Sequence, residues 1–145
     1  MEKLAKDYRA FLDAGKTERE CVTELVREAE ANGYVSLEAK QAAGEKIQPG
    51  DKVYAVGMKK IMALFHVGQE PLEKGMNILG AHIDSPRLDV KQNPLYEDTD
   101  LAYLDTHYYG GVKKYQWVAL PLAIHGVIAK KDGSVVNVTI GEDEN

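Results

Sequence analysis

The first third of the chain carries apolar residues at the three- and four-residue spacing of amphipathic helices. Gly15 ends the first series, and Thr17 with Glu20 forms a capping box that begins the second. Gly33 ends the second series, because glycine readily adopts the left-handed backbone that closes a helix. A short third helix is predicted over residues 37–43.

The pattern then changes to one typical of β-strands. Residues 51–56 and 61–67 predict a hairpin, and residues 77–83 predict a third strand. This third segment is apolar on both faces, so we expect it to be central and buried in a sheet. Helices followed by strands indicate a sheet that is covered by helices.

The second half of the chain predicts β-structure throughout. Residues 91–100 are polar and turn-prone, so we expect a crossing between two units there, and Gly110 with Gly111 predicts a tight turn. Residues 115–129 are rich in apolar, aromatic and β-branched side chains, typical of strands. Residues 131–134 predict a hairpin turn and residues 135–140 its second strand.

Candidate chemistry lies at the end of the predicted third strand, in His82-Ile83-Asp84. A neutral imidazole is a common zinc ligand, and an acid two residues later projects from the same strand face. Such an acid can hold the other ring nitrogen and fix the tautomer of a metal-bound histidine. A histidine with an aspartate at this spacing is more often structural, but the following Ser85-Pro86 forces a turn that opens the backbone.

Composition limits the classes of partner. The formal net charge of −5 argues against nucleic-acid and anionic-membrane binding, which need a basic surface. The single cysteine cannot form an internal disulfide, which favours a cytoplasmic protein. The sequence shows neither a basic and apolar leader nor an apolar run of transmembrane length. Glu142, Asp143 and Glu144 are expected to form a solvated acidic turn.

The segment from Gly80 to Asp89, GAHIDSPRLD, resembles the His-x-Asp-Ser-Pro motif of the aspartyl aminopeptidase/aminopeptidase I family of dinuclear metallopeptidases. The resemblance spans nearly the whole chain and is strongest from Gly80 to Gly126. Other segments that match in order are Gly50 with Asp51, Tyr109-Gly110-Gly111, Trp117, and the apolar strand through Gly126.

The resemblance implies a metal-dependent aminopeptidase that hydrolyses the N-terminal residue, acidic or neutral, of a peptide substrate. His82 would bind one of two divalent ions, with zinc as the default and cobalt or manganese as alternatives, and Asp84 would be the catalytic-site acid that orients His82. The family fold implies an α/β class. Residues 1–90 would form the amino-terminal part of a phosphorylase/hydrolase-like α/β/α catalytic domain, and residues 91–145 the start of an inserted β-rich oligomerisation domain. The full-length enzyme would be a homo-oligomer, in which dimers assemble into a dodecamer.

One departure from the family pattern affects the expected activity. A dinuclear site needs on the order of five or six protein ligands, and the family's remaining ligands and general base lie beyond Asn145. We therefore expect this chain to be the amino-terminal part of the enzyme and to be inactive alone. Three alternatives stay open: a non-catalytic assembly or regulatory module, another dinuclear hydrolase such as a deacylase, and a local metal site completed by Asp105 and His107.

Overall fold

The computed structural model describes residues 1–142, so Asp143 and Glu144 of the expected acidic turn lie outside the described residues. The chain divides into two compact units, Met1–Ile83 and Asp84–Asn145. This division does not decide where a catalytic and an inserted domain would meet, so the boundary after residue 90 stays a prediction.

The helices of the first unit begin and end at the residues that the sequence indicates. Gly15 follows the first helix, and the capping box beginning the second is formed by Glu20 N–H to Thr17 Oγ1 (3.3 Å) and Thr17 N–H to Glu20 Oε2 (2.9 Å). Because these bonds satisfy backbone donors that lack a helical partner, they fix the start of the helix. The unit contains α1 Glu2–Ala14, α2 Glu18–Ala31, β1 Val35–Ser36, α3 Leu37–Ala42, β2 Lys52–Gly57, β3 Ile61–His66 and a 3₁₀ turn, Leu72–Lys74.

A three-stranded sheet forms the centre of the first unit, with β2 between β1 and β3. β1 is parallel to β2, and β2 and β3 form the predicted antiparallel hairpin. Val53 in β2 is 1% exposed and lies between Val35 and Phe65. The buried apolar side chains of the described residues all lie in this unit: Cys21, Val22, Ala29, Val53 and Tyr54.

The predicted third strand over residues 77–83 is wrong for this structure. The segment has neither helix nor strand, and Ile78 and Leu79 are 80% and 99% exposed. A strand exists only where a neighbouring strand accepts and donates its backbone hydrogen bonds. An apolar run shows which side chains favour burial, but it does not supply that neighbour.

Up to residue 142, the second unit contains two antiparallel hairpins and one helical turn. The prediction that residues 91–100 are a crossing is wrong, because most of them extend a long strand that pairs with the next one. Pro94 lies where the pairing shifts between Val90 and Leu95, a position where proline's missing N–H costs no regular ladder bond. The elements are β4 Arg87–Asp98, β5 Leu101–Tyr109, α4 Lys114–Trp117, β6 Ile124–Ala129 and β7 Val135–Ile140.

Between the hairpins, the expectation of strand structure over residues 115–129 is only partly met. Residues 114–117 form α4, and regular strand structure resumes at Ile124. The predicted hairpin turn at residues 131–134 and the strand at residues 135–140 are confirmed. Within residues 1–142, no helix is long and apolar enough to cross a membrane.

Candidate functional site

His82 and Asp84 lie on either side of the boundary between the two units, so each is placed by its own unit. His82 is exposed and follows the irregular segment after the 3₁₀ turn. The next carbonyl, that of Ile83, accepts a long hydrogen bond from Cys21 Sγ in α2, at 3.7 Å. The backbone beside His82 is therefore attached to α2 rather than to a sheet.

Cys21 is suited to this role because its thiol stays protonated. The side chain is 4% exposed, and burial raises the pKa of the Cys21 thiol, with the carboxylates of Glu18 and Glu20 adding to the effect. A protonated thiol has one hydrogen to donate, which the Ile83 carbonyl shares with the nearer carbonyl of Gly15, 3.4 Å from Sγ. This buried cysteine is a packing residue, as its place in the helical pattern predicts.

The carboxylate of Asp84 is held from within the second unit. Tyr109, the last residue of β5, donates a hydrogen bond of 2.6 Å from its hydroxyl to Asp84 Oδ2. Next to Tyr109, Gly110 adopts a positive φ of 71°, and a Cβ atom there would lie 3.4 Å from Pro86. Asp84 and Pro86 of the first motif of the resemblance thus meet Tyr109 and Gly110 of the second where β4 begins and β5 ends.

Charged side chains continue from Tyr109 along one face of the β4–β5 hairpin. The guanidinium carbon of Arg87 lies 4.3 Å from the centre of the Tyr109 ring, and Arg87 Nε donates to Asp89 Oδ1 at 2.7 Å. His107 Nε2 is 3.9 Å from Asp89 Oδ2. Arg87 and Asp89 therefore form an ion pair at the surface of the hairpin.

Imidazole is a donor that fits zinc, but a zinc ion needs about four ligands. Among residues 1–142, no group of three or more His, Cys, Asp or Glu side chains is placed to hold a metal ion. The local alternative also fails at its two added positions, because Asp105 and His107 lie inside β5 rather than at a strand end. Asp105 pairs there with Lys91 Nζ at 3.0 Å. His82 therefore belongs to no such group within residues 1–142.

Sequence reasoning missed two contacts that place this segment. The sequence partly indicates the hydrogen bond from Tyr109 to Asp84, because Tyr109 belongs to a motif shared with the family and precedes a glycine pair. The contact between Cys21 and Ile83 had no signal, since a cysteine at a helical packing position can face any neighbour. His82 as a ligand and Asp84 as its orienting acid stay predictions.

Comparison with known proteins identifies the family. The model of the peptidase family M18, aminopeptidase I zinc metalloprotease, matches residues 11–144. A probable M18 family aminopeptidase 1 from Clostridium acetobutylicum is 63% identical over 98% of this chain, which covers 30% of that relative. The chain thus spans about a third of the length of the curated relatives that it matches.

Solved structures agree with the sequence comparison. The crystal structure of aminopeptidase I from Borrelia burgdorferi is 39% identical, with a TM-score of 0.89 over 99% of this chain and 34% of that one. An M18 aminopeptidase from Thermotoga maritima is 45% identical, with a TM-score of 0.86 over 98% of this chain and 30% of that one. These matches confirm the α/β class, while the division into a catalytic and an inserted domain stays a prediction. The chain belongs to peptidase family M18, the aminopeptidase I zinc metalloproteases.

Proposed function

We propose that this chain is part of a zinc-dependent aminopeptidase that removes the N-terminal residue, acidic or neutral, from peptides at a dinuclear metal site. The observation that carries the proposal is the family match over residues 11–144, which includes the His82-Ile83-Asp84 motif. Because the chain spans about a third of its relatives, the activity belongs to a polypeptide that also supplies the remaining ligands.

His82 would bind one of the two ions through a ring nitrogen. Asp84 would accept a hydrogen bond from the other ring nitrogen, which fixes the tautomer and the direction of the ring. When bound, the metal ions polarise the scissile carbonyl and lower the pKa of a bound water. Further ligands, and the glutamate that would act as general base, would come from residues other than those described, since residues 1–142 hold no cluster of three ligands.

Three further features are part of the proposal. The lone buried cysteine and the absence of a disulfide in the described residues favour a cytoplasmic protein. The family resemblance favours a homo-oligomer built from dimers. Cobalt or manganese could replace zinc, because imidazole and carboxylate ligands accept all three ions.

The proposal is tested by comparing the full-length protein that carries these residues with the 145-residue chain. We expect the full-length protein to release N-terminal residues from aminoacyl substrates in a zinc-dependent reaction, and the 145-residue chain to show none. His82→Ala should abolish the reaction and weaken zinc binding. His66→Ala is the matched control, because His66 is an exposed histidine at the end of β3.

Two results would contradict the proposal. A full-length protein that forms a stable oligomer without metal-dependent turnover would favour the non-catalytic assembly module instead. Metal-dependent turnover by the 145-residue chain that is lost in His82→Ala would refute the claim that ligands are needed from elsewhere.

A further inference from the structure

We infer that Tyr109 is a positioning residue for Asp84, and that it acts by fixing the rotation of the Asp84 carboxylate. This inference rests on the proposed function for the role of Asp84. Its structural basis lies within the second unit, where the Tyr109 hydroxyl donates to Asp84 Oδ2 at 2.6 Å. Hydrogen bonds from a hydroxyl to an ionised oxygen are short and strong, and 2.6 Å lies in their distance range. Because a carboxylate is planar, fixing Oδ2 also fixes the direction of Oδ1.

Tyr109 can hold Asp84 only if its own ring is held, and Arg87 does this. The Arg87 guanidinium lies against the ring face, 4.3 Å from its centre, an arrangement in which cation and ring attract each other. Arg87 is in turn bonded through Nε to Asp89 Oδ1 at 2.7 Å. Arg87 is the residue directly opposite Tyr109 in the β4–β5 pairing, so the sheet itself sets this stack.

The backbone on both sides of the hydrogen bond is constrained as well. Gly110 has a φ of 71°, in the left-handed region, and its backbone passes close to Pro86. A side chain at Gly110 would meet Pro86 Cα and Cγ at 3.4 Å. The donor residue and the segment that follows the acceptor are therefore packed together, which reduces the freedom of Asp84 before any ligand binds.

The experiment uses the full-length protein and the variants Tyr109→Phe and Tyr108→Phe. Tyr109→Phe keeps the ring that Arg87 covers and removes only the hydroxyl. Tyr108→Phe removes a hydroxyl from the neighbouring residue, whose ring lies under Lys114, and serves as the control. Zinc affinity is measured by competition with a chelator, and the visible spectrum of the cobalt-substituted protein reports ligand geometry independently of turnover.

We expect Tyr109→Phe to weaken zinc binding about three- to tenfold and to alter the cobalt spectrum. Losing the direct partner of a metal ligand typically costs about 10- to 100-fold in affinity, and Tyr109 acts one step behind such a partner. In turnover, kcat should fall more than KM rises. Tyr108→Phe should match the wild type within about twofold. In an Asp84→Ala background, Tyr109→Phe should add no further loss, because residues that act through one another are not additive.

The inference is overturned if Tyr109→Phe and Tyr108→Phe behave alike, or if Tyr109→Phe causes the same loss in the Asp84→Ala background. The second result, together with a lower unfolding midpoint, would show a purely structural role. Failure of the proposed function gives a different result, because the wild-type protein would then bind no zinc or would keep its zinc affinity in His82→Ala.

Discussion

One methyl group added at Gly15 tests how tightly Cys21 is packed against the end of α1. A Cβ atom at Gly15 would lie 2.8 Å from Cys21 Sγ and 3.2 Å from the carbonyl oxygen of Phe11. Ordinary contacts between such atoms are about 3.5–4.0 Å. Cys21 is 4% exposed, so its sulfur has little room to move away.

The expected loss of stability follows from two opposing effects. The φ of Gly15 is −106°, which alanine adopts without strain, so the less flexible unfolded chain alone would stabilise Gly15→Ala by about 0.4–1 kcal/mol. Overpacking of a filled site costs about 1–3 kcal/mol. We therefore expect Gly15→Ala to lower the free energy of unfolding by about 1–2 kcal/mol.

A double-mutant cycle with Cys21→Ala isolates the contact. Cys21→Ala alone should cost about 1 kcal/mol, because it removes one buried heavy atom. The double variant should be about as stable as Cys21→Ala, since the added methyl group then occupies the space left by the sulfur. Gly80→Ala is the control, because its Cβ would meet no atom within 4 Å and its backbone is outside the left-handed region.

The free energies are measured by urea denaturation followed by far-ultraviolet circular dichroism, with equal slopes required for comparison. If Gly15→Ala is as stable as the wild type, the packing argument is refuted. A double variant that loses the sum of the two single effects would refute the direct contact between Gly15 and Cys21.

Two further predictions concern the first unit. Val53→Ala should lower the free energy of unfolding by about 2 kcal/mol, because Val53 is 1% exposed and the change removes two buried methyl groups. The control Val56→Ala should cost clearly less, because Val56 is 39% exposed. Equal losses of the two variants in urea denaturation would contradict this prediction. The hydrogen bond from the Gln48 N–H, and next the bond to Lys40, lower the pKa of the Asp51 carboxyl. The ionised carboxylate therefore stabilises the fold at pH values above the ordinary carboxyl pKa. This stabilisation is lost as the pH falls from the ordinary pKa to the lowered pKa of the folded protein. The stability of Asp51→Asn should therefore fall less than that of the wild type as the pH is lowered. If the urea midpoints of the wild type and of Asp51→Asn fall in parallel with pH, this effect of Asp51 is excluded.

Local signals in the sequence predicted most helices and two hairpins. The capping box at Thr17, Gly15 after α1 and the turn before Val135 each act on their own neighbours, so no distant partner is needed for them to work. The prediction failed where pairing with another segment decides the outcome. Residues 77–83 have the composition of a central strand and no strand beside them in the described residues.

The prediction for the long strand β4 failed for the opposite reason, because a polar segment proved to have a strand partner. Its polar, turn-prone residues suggested a crossing, but a hairpin whose faces remain accessible to water accepts polar side chains. Its partner β5 supplies the missing backbone bonds, and the irregularity between Val90 and Leu95 accommodates the proline. Polarity alone therefore does not exclude a strand when a partner lies directly after it in the chain.

The sequence by itself determined the family, the motif at His82 and Asp84, and the local elements, because short-range spacing and residue chemistry carry this information. Only the tertiary structure decided which distant groups hold the motif. Cys21 reaches Ile83 across 62 positions, and Tyr109 reaches Asp84 across 25. The first contact depends on how α2 packs, and the second on the exact pairing of β4 with β5, since a shift of one residue would turn Tyr109 to the other face of the hairpin.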